Sequence, residues 1–419
     1  MTTKITKHNV NHLANAGLNW EVKTSSFTGQ AGYGYFINSS GGAVTLTLPA
    51  TAEIGDIVEA IIITAGNTVT VARNSHKING ATADQTIDND GDSIKLVYAN
   101  VAEGWKVIRT SVAGTFITAT GGTVTTDGDF KIHAFNSSSN FVVSAIGNSD
   151  TVPDGGPATV NYLVVAGGGG GGTRAAAGAG AGGYRTNYPT ACASGLAITA
   201  QTYPITVGAG GTSNGPVNAE VPGNQGANSI FSTITSAGGG GGKGGCTPYE
   251  PVNSRSNGGS GGGGGPSGPG GPLSIGGTGN TPPVSPPQGN NGGSNTGVHL
   301  YNGSGGGGAS AAGGNAKPSG PGNGGAGSPN AITGSAVTYA GGGGGGSWPS
   351  PSPAPGGTGG AGGGGHGRPG TSNPAPSNPN GPKNGTANTG GGGGGEGGGD
   401  AQLGGTGGSG IVIIRYKYQ

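Results

Sequence analysis

The chain has 419 residues, of which 104 are glycine and 28 are proline, whereas charged residues make up 8% and aromatic residues 5%. The net charge of +1 excludes the densely basic surface of a nucleic-acid-binding protein. The scarcity of large apolar residues excludes a conventional hydrophobic core over most of the chain, although the length allows two or three domains.

Residues 1–28 form an N-terminal segment with two open interpretations. The stretch 9–20 is too rich in asparagine to predict a helix, so the segment is either an attachment or trimerisation segment or a loosely ordered arm. It lacks the apolar core of a secretory signal, and no stretch of the chain approaches the ~20 apolar residues of a membrane span. We therefore expect a soluble protein that leaves the cell by lysis or within an assembled particle.

Residues 29–112 predict a small β-sandwich module made of short strands and turns. The stretches that predict the strands are 44–49, 57–63, 67–71, 93–98 and 104–108. Asp88, Asp90 and Asp92 lie between two of these strands and could bind calcium. The distal bidentate glutamate of an EF-hand loop is absent, and an Asn/Asp/Gly cluster between strands is typical of a turn, so we predict no metal site there.

Residues 113–157 predict a connector built on a β-hairpin. The strands of this hairpin are 130–135 and 140–144, joined around 136–139. His133 alternates with its neighbours along the first strand and has no partner residue in the local sequence. This pattern is typical of a structural histidine rather than a catalytic one.

Residues 158–419 contain long glycine runs, which we interpret as packed threads rather than a flexible linker. The runs, among them 167–172, 238–242, 341–346 and 390–395, lie between apolar strands at 162–166 and 410–416. We expect these two strands to pair with each other. Further short apolar stretches lie inside the region at 203–207, 229–234 and 336–340, and a linker has no need of them.

The glycine runs predict the extended polyproline II conformation. They lack the strict Gly-X-Y period of collagen, so a triple helix is excluded. Without side chains, neighbouring threads can approach closely and form hydrogen bonds between their N–H and C=O groups. A six-residue run would span ~19 Å at the rise of this helix. Threads of similar length would form a slab, with the inserts projecting from its two ends.

Four motifs of this region resemble the glycine-rich domain of bacteriophage tail-fibre proteins. They are 161–167 (NYLVVAG), 180–185 (GAGGYR), 205–211 (ITVGAGG) and 408–416 (GSGIVIIRY). The resemblance covers about 60% of the chain, and the module at 29–112 is more diffusely similar to the often trimeric β-sandwich modules of phage fibres. The resemblance of the glycine-rich region implies a polyglycine II sandwich whose loops bind a host surface receptor, as in the distal-tip adhesins of T-even type phages.

The inserts between the glycine runs carry nearly all the large side chains of this region. They are 186–203, 212–225, 243–257, 266–291, 347–355 and 366–388. Aromatic rings stack on sugars or fill apolar clefts, and Tyr, Trp and Arg dominate binding hot spots. We therefore predict the receptor-binding residues Tyr249, Tyr301, Trp348, His366 and Arg368. For Tyr184 and Tyr188 we favour a structural role at the ends of the threads.

The sequence predicts neither an enzyme nor a cofactor. The region from residue 160 onwards has four widely spaced carboxylates, and its Gly-x-Gly-x-x-Gly patterns follow from its glycine content. Cys192 and Cys246 could form a disulfide, but we favour two free thiols. Neither cysteine has another Cys or a His at ligand spacing, so we predict no metal site.

We expect a mainly β and polyglycine II protein that acts as a phage tail-fibre adhesin, with its β modules on the virion side. The implied partners are a bacterial surface receptor, either an outer-membrane protein or lipopolysaccharide, and other tail or fibre proteins of the virion. We expect a homotrimer, no nucleic acid, synthesis in the host cytoplasm and an extracellular place in the tail fibre. The alternatives are a structural fibre spacer without receptor contact, an ice-binding polyproline II bundle and a glycine-rich wall protein.

Overall fold

The computed structural model describes the chain from residue 17 onwards, with gaps. The described ranges are 17–111, 114–149, 155–189, 191, 194–214, 221–245, 254–267, 273–295, 301–348, 355–370, 383–398 and 403–419. The chain divides into two compact units. The first consists of Met1–Thr115 with Asn148–Gly156, and the second of Phe116–Gly147 with Pro157–Gln419. Within the described ranges, no helix is long and apolar enough to cross a membrane.

The first unit is a β-sandwich of two sheets. Its strands are β1 (Asn19–Lys23), β2 (Phe27–Thr28), β3 (Tyr33–Asn38), β4 (Val44–Thr47), β5 (Ile57–Thr64), β6 (Val69–Ala72), β7 (Gln85–Ile87), β8 (Ser93–Asn100) and β9 (Gly104–Ser111). One sheet has the order β1-β3-β5-β8-β9 and the other β2-β4-β6-β7. Burial alternates along β4, β5 and β8, as the period-two pattern of the sequence predicts. The buried side chains of both sheets form one core around Trp105.

The acidic cluster of the first unit closes the turn between β7 and β8. The carboxylate of Asp92 accepts hydrogen bonds from the backbone N–H groups of Asp88, at 3.0 Å, and Asn89, at 2.8 Å. The carboxylate of Asp90 accepts one from the N–H of Ala65. The Asp92 carboxylate therefore closes its own turn, whereas the Asp90 carboxylate binds the backbone directly after β5.

The second unit combines β-sheets with extended glycine threads. Its strands are β10 (Thr118–Thr120), β11 (Thr123–Asp127), β12 (Phe130–Phe135), β13 (Ser139–Ala145), β14 (Thr159–Val165), β15 (Tyr184–Thr186), β16 (Leu196–Ala197), β17 (Thr202–Thr206), β18 (Ser229–Phe231), β19 (Ile234–Ser236), β20 (Ser328–Asn330), β21 (Val337–Tyr339) and β22 (Ile411–Lys417), with a 3-10 turn at Ser254–Ser256. The two larger sheets have the orders β10-β13-β17-β18-β19 and β11-β12-β22-β14-β15, β16 also pairs with β14, and β20 pairs with β21.

The strands that flank the glycine-rich region pair with each other, as predicted. β14 and β22 are antiparallel neighbours, with Val165 opposite Ile411 and Asn161 opposite Arg415. Both strands are buried on both faces, which explains why their sequences are continuous apolar runs rather than alternating ones. On one face they pack in a core around Phe141, and on the other they pack against side chains of the glycine-rich region.

The two strands predicted as a hairpin in residues 113–157 are present but do not pair with each other. β12 lies between β11 and β22, whereas β13 lies between β10 and β17 in the other sheet. Phe135 and Phe141 nevertheless pack in one core, because the short connection crosses from one sheet to the other. Residues 116–147 thus belong to the same compact unit as the glycine-rich region.

The glycine runs form threads with a three-residue hydrogen-bonding period. Along the thread 166–172, every third N–H bonds to the same neighbouring thread, with N···O distances from 2.8 to 3.2 Å. The pairs are Gly167 and Gly170 with thread 221–228, Gly168 and Gly171 with thread 403–410, and Gly169 and Gly172 with thread 176–183. Three residues per turn is the period of the polyproline II helix, so these threads are polyglycine II.

The threads are arranged around one central thread, residues 176–183. Among the described residues, six threads bond directly to it, and we call them the inner ring. They are 166–172, 237–243, 259–265, 303–309, 340–347 and 390–396. Each contains an uninterrupted run of glycine. A Cβ on Gly169, for example, would lie inside van der Waals contact with the carbonyl of Gly240, so no side chain fits there.

An outer ring of threads bonds to the inner ring and faces solvent. Its threads are 207–214, 221–228, 254–257, 274–279, 289–295, 311–316, 321–327, 355–361, 363–370, 383–388 and 403–410. Every third residue of such a thread points outward, for example Pro355, Thr358 and Ala361, and these positions carry side chains. An outward N–H has no thread to bond to, and asparagine side chains accept several of these hydrogen bonds. The pairs are Thr278 with Asn257, Ser294 with Asn315, Thr358 with Asn323 and Thr406 with Asn384.

Candidate functional site

The threads have two distinct ends, which we call the near end and the far end. The near end carries β14 and β22, because the thread 166–172 follows Val165 and the thread 403–410 precedes Ile411. Successive threads then alternate in direction, as their hydrogen-bond registers show. The short sheets β18–β19 and β20–β21 lie at the near end, since each connects a thread that returns from the far end to one that leaves for it.

This alternation places most of the insert-flanking residues at the far end. The residues described on either side of the gaps 215–220, 246–253, 349–354 and 371–382 all lie there, whereas the described part of the insert 186–203 lies at the near end. The insert 266–291 includes a near-end turn at 280–287, where the N–H of Tyr184 donates to the carbonyl of Gln288. The far end therefore collects side chains from separate parts of the sequence.

Two of the predicted site residues, Tyr301 and Trp348, lie together at the far end. Their ring centroids are 6.1 Å apart and the planes are inclined by 33°. Tyr301 lies just before the inner-ring thread 303–309, and Trp348 directly follows the inner-ring thread 340–347. The two threads are neighbours here, because the N–H of Gly303 donates to the carbonyl of Gly346 at 2.9 Å. Both residues are partly exposed, so each ring presents area to solvent.

The indole of Trp348 lies on backbone that carries no side chain. It covers Gly398, where a Cβ would overlap the ring. The N–H of Gly398 donates to the carbonyl of Ser347 at 2.9 Å, and the N–H of Gly370 donates to the Ser347 hydroxyl, also at 2.9 Å. Ser347 is fully buried, so the residue that precedes Trp348 is held in place, and the indole lies between the backbone of Gly398 and the Tyr301 ring.

Arg368 is also at the far end and belongs to the outer ring. Its carbonyl accepts a hydrogen bond from the N–H of Ser347 at 3.0 Å, and its own N–H donates to the carbonyl of Gly395 at 3.0 Å. The backbone of Arg368 is therefore tied to the residue that precedes Trp348. Tyr301, Trp348 and Arg368 were predicted from residue type and from their position in or beside the inserts, and the fold places all three at the far end.

His366 lines a separate open cleft of about 810 Å³ between outer-ring threads. The polar side chains around this cleft are Asn315, Lys317, Ser319, Asn323, Thr358 and His366. The N–H of Gly359 donates to Nδ1 of His366 at 3.4 Å, a contact that favours the tautomer with its proton on Nε2. His366 is thus separate from the aromatic pair, and Arg368 is not among the residues that line the cleft.

A buried carboxylate near the far end was not predicted as a site residue. Glu396 is fully buried, and its side chain accepts a hydrogen bond from the backbone N–H of Arg174 at 2.8 Å. Arg174 and Ala175 have φ angles of 67° and 50°, in the left-handed region that residues with a Cβ rarely adopt. This turn joins the thread 166–172 to the central thread, so Arg174 is exposed at the middle of the far end.

The tyrosines assigned to a structural role do lie at the near end. Tyr184 belongs to β15, and its hydroxyl accepts a hydrogen bond from Asn330 at 2.8 Å. Tyr188 packs against the apolar core on the thread side of β14 and β22, and the Arg415 guanidinium lies 5.8 Å from its ring centroid. Both residues cover thread ends, as predicted.

His133 is a buried structural residue, also as predicted. Its Nδ1–H donates to the carbonyl of Gly121 at 2.7 Å, and its Nε2 accepts from the Tyr416 hydroxyl at 3.0 Å. Burial is the main cause that lowers the pKa of His133, and burial also raises the pKa of Tyr416 to about 12. Both groups are therefore neutral at physiological pH.

The remaining predicted residues lie outside the described ranges. These are Tyr249 among the receptor-binding residues and both cysteines, Cys192 and Cys246. Over the described part of the chain, no group of three or more His, Cys, Asp or Glu side chains is placed to hold a metal ion.

Comparison with known proteins gives one finding. No curated protein matches the chain. The family model of the glycine-rich domain matches residues 142–417, which begin within β13 and end with β22. The matched range thus contains all the threads and both strands that pair at the near end. Because the match covers more than half of its length, the chain belongs to the glycine-rich domain family.

Proposed function

We propose that the chain is a non-enzymatic adhesin of a bacteriophage tail fibre that recognises a bacterial surface receptor through the far end of its threads. The observation that carries the proposal is the Tyr301–Trp348 pair, in which two partly exposed rings lie 6.1 Å apart at that end. Exposed aromatic pairs of this kind supply large contact area at low cost in conformational entropy.

The scaffold suits this role because it holds the far end rigid. Each inner-ring thread bonds to several neighbours, so the backbone beneath Trp348 loses little freedom when a receptor binds. Several inserts themselves supply outer-ring threads, among them 254–257, 274–279 and 383–388. The connections between threads can vary in length and composition while the scaffold stays unchanged.

The proposal includes the partners and the location implied by the tail-fibre resemblance. The receptor is an outer-membrane protein or lipopolysaccharide, and the chain assembles with other tail or fibre proteins as a homotrimer. It is synthesised in the host cytoplasm and resides outside the cell in the virion. Light scattering of the purified protein would measure the oligomeric state, and a mass of a single chain, 39.4 kDa, would contradict the trimer.

One observation favours an ice-binding function as a second candidate. Thr206, Ala209 and Thr212 are exposed at a three-residue period, which corresponds to ~9.3 Å in a polyproline II helix. The neighbouring thread, however, exposes the dissimilar residues Leu403, Thr406 and Ser409 to different extents, so the regular row does not extend across a face. Thermal hysteresis of the purified protein would support ice binding.

The test of the adhesin proposal is binding of the purified, labelled protein to a panel of intact bacterial strains. The informative variant is Tyr301→Ala with Trp348→Ala, and the matched control is Tyr418→Ala, which removes an aromatic ring beyond the near end. We expect strain-selective binding by the wild type and the control, and its loss in the double variant. Equal binding by the double variant would contradict the Tyr301–Trp348 site, and no binding to any strain would favour a structural fibre spacer.

A further inference from the structure

The cleft lined by His366 is rich in hydrogen-bond donors. The side-chain oxygen of Asn315 accepts from the N–H of Ser294 at 2.7 Å, and that of Asn323 accepts from the N–H of Thr358 at 2.9 Å. In both side chains the amide oxygen accepts a hydrogen bond from the backbone, and the NH2 group remains as a donor. The two asparagines therefore offer donors rather than acceptors to a ligand.

His366 and Lys317 add to this donor character. Nδ1 of His366 accepts from the N–H of Gly359 at 3.4 Å, which favours Nε2 as the ring nitrogen that donates to a ligand. The backbone of Lys317 is held in place, because its N–H donates to the carbonyl of Gly320 and its carbonyl accepts from Asn302 Nδ2, both at 3.0 Å. Lys317 is the cationic residue among those that line the cleft.

The described lining includes no carboxylate, so the cleft combines one cationic side chain, that of Lys317, with several hydrogen-bond donors. Such a site favours an anionic group, since charge-assisted hydrogen bonds are the strongest of those available. The hydroxyls of Ser319 and Thr358 can donate or accept, and they match the mixed hydrogen-bonding capacity of sugar hydroxyls.

The cleft adjoins the aromatic pair through one layer of backbone hydrogen bonds. Gly322, in the cleft lining, donates from its N–H to the carbonyl of Gly303, two residues beyond Tyr301. Gly357, also in the lining, donates to Gly345, three residues before Trp348. A ligand bound in the cleft is therefore close to surfaces on which sugar rings can stack.

We propose that this cleft binds an acidic saccharide, a sugar that carries a carboxylate or a phosphate. The inference rests on the proposed adhesin function and specifies its ligand as a charged glycan. The anionic group lies against Lys317 and the donors of Asn315, Asn323 and His366. Lipopolysaccharide and capsular polysaccharide can both supply such a sugar.

The test is saturation-transfer NMR of the full chain with two probe pairs, glucuronic acid against glucose and glucose 6-phosphate against glucose. We expect transfer to the acidic member of each pair, and a loss of affinity of about tenfold in Lys317→Gln. The matched control is Lys131→Gln, which removes an equal charge beside the Tyr418 ring, far from the cleft along the chain. Equal transfer to acidic and neutral sugars, or an unchanged Lys317→Gln, would overturn the inference.

Cell binding separates this inference from the adhesin proposal. In one outcome the wild type binds cells through Tyr301 and Trp348, no acidic sugar binds, and Lys317→Gln binds cells normally. The adhesin proposal is then supported and the glycan inference is wrong. If acidic sugars bind and Lys317→Gln loses them, yet no strain is bound, the cleft assignment stands and the adhesin proposal fails. Purified lipopolysaccharide and purified capsule from a bound strain, used as competitors, distinguish the two sources of the sugar.

Discussion

Nη1 of Arg415 donates a hydrogen bond to the Asp127 carboxylate at 2.8 Å, which ties the last strand, β22, to the end of β11. The same guanidinium donates to the carbonyl of Ile332 at 3.1 Å and lies 4.3 Å from the ring centroid of Phe130. Arg415 is 7% exposed, so its charge depends on these partners rather than on water. It joins β22, β11 and the turn before β21 in one contact.

Asp127→Ala should therefore lower the stability of the second unit. The Asp127 side chain is 45% exposed, so we place the loss at the low end of the range for a charged hydrogen bond, about 1 kcal/mol. Asp127→Asn keeps an acceptor oxygen and should lose less. Urea unfolding of the three proteins measures the difference, and an unchanged Asp127→Ala would show that the Ile332 carbonyl alone satisfies Arg415.

The stability of the second unit should also depend on pH through His133. Burial lowers the pKa of His133 below its ordinary value of 6.5, although the hydrogen bond to Gly121 opposes this shift. The unfolded chain therefore binds the proton more readily than the folded chain. The free energy of unfolding should fall as the pH drops below about 6.5 and level off below the folded pKa.

His133→Gln removes this titration and provides the measurement. The stability advantage of the wild type over the variant should be larger at about pH 7.5 than at about pH 5. Urea unfolding at both values gives the four free energies needed. An advantage that stays constant, or grows at low pH, would mean that burial does not control the His133 pKa.

A side chain within the inner ring should destabilise the threads. A Cβ at Gly169 would overlap the carbonyl of Gly240, and that carbonyl cannot move without disturbing its own thread. We expect Gly169→Ala to lose about 1–3 kcal/mol, the usual range for overpacking. The outward, exposed Ala326 provides the control, because Ala326→Ser should stay within about 0.5 kcal/mol. Thermal unfolding of both variants decides the point, and equal midpoints would contradict close thread packing.

The asparagines of the outer ring should stabilise the threads by accepting hydrogen bonds from outward N–H groups. The side-chain oxygen of Asn384 accepts from the N–H of Thr406 at 3.0 Å. Asn384→Ala should lose about 1 kcal/mol and speed hydrogen exchange at Thr406, whereas Asn384→Asp keeps an acceptor oxygen and should protect that amide. If exchange at Thr406 were the same in both variants, water would replace the side chain at no cost.

The sequence revealed the parts of this fold that depend on backbone chemistry. Uninterrupted glycine indicates a thread with neighbours on all sides, and the runs 167–172, 238–242, 341–346 and 390–395 all belong to the inner ring. Continuous apolar stretches likewise predicted the pairing of β14 with β22. In both cases the residue type is dictated by what surrounds the backbone.

The parts that depend on long-range arrangement could not be read in this way. The pattern of β12 and β13 is that of a hairpin, because each alternates and the connection is short, yet each strand finds its partners elsewhere. For the candidate site, residue type selected Tyr301 and Trp348, but only the order of the threads brings them together. The polar cleft was missed except for His366, since its asparagines look like ordinary loop residues in the sequence.

The adjacency of Val165 and Ile411 also restricts how such proteins can change in evolution. The glycine-rich region begins after β14 and ends before β22, which pair at the near end. The number of threads between these two strands must therefore be even. Insertions and deletions of whole threads are therefore acceptable only in pairs, whereas an odd change would carry the C-terminal strand to the far end. Genes of this family should thus differ in length by hairpin-like units of two glycine segments, with the turn between them as the part free to diverge.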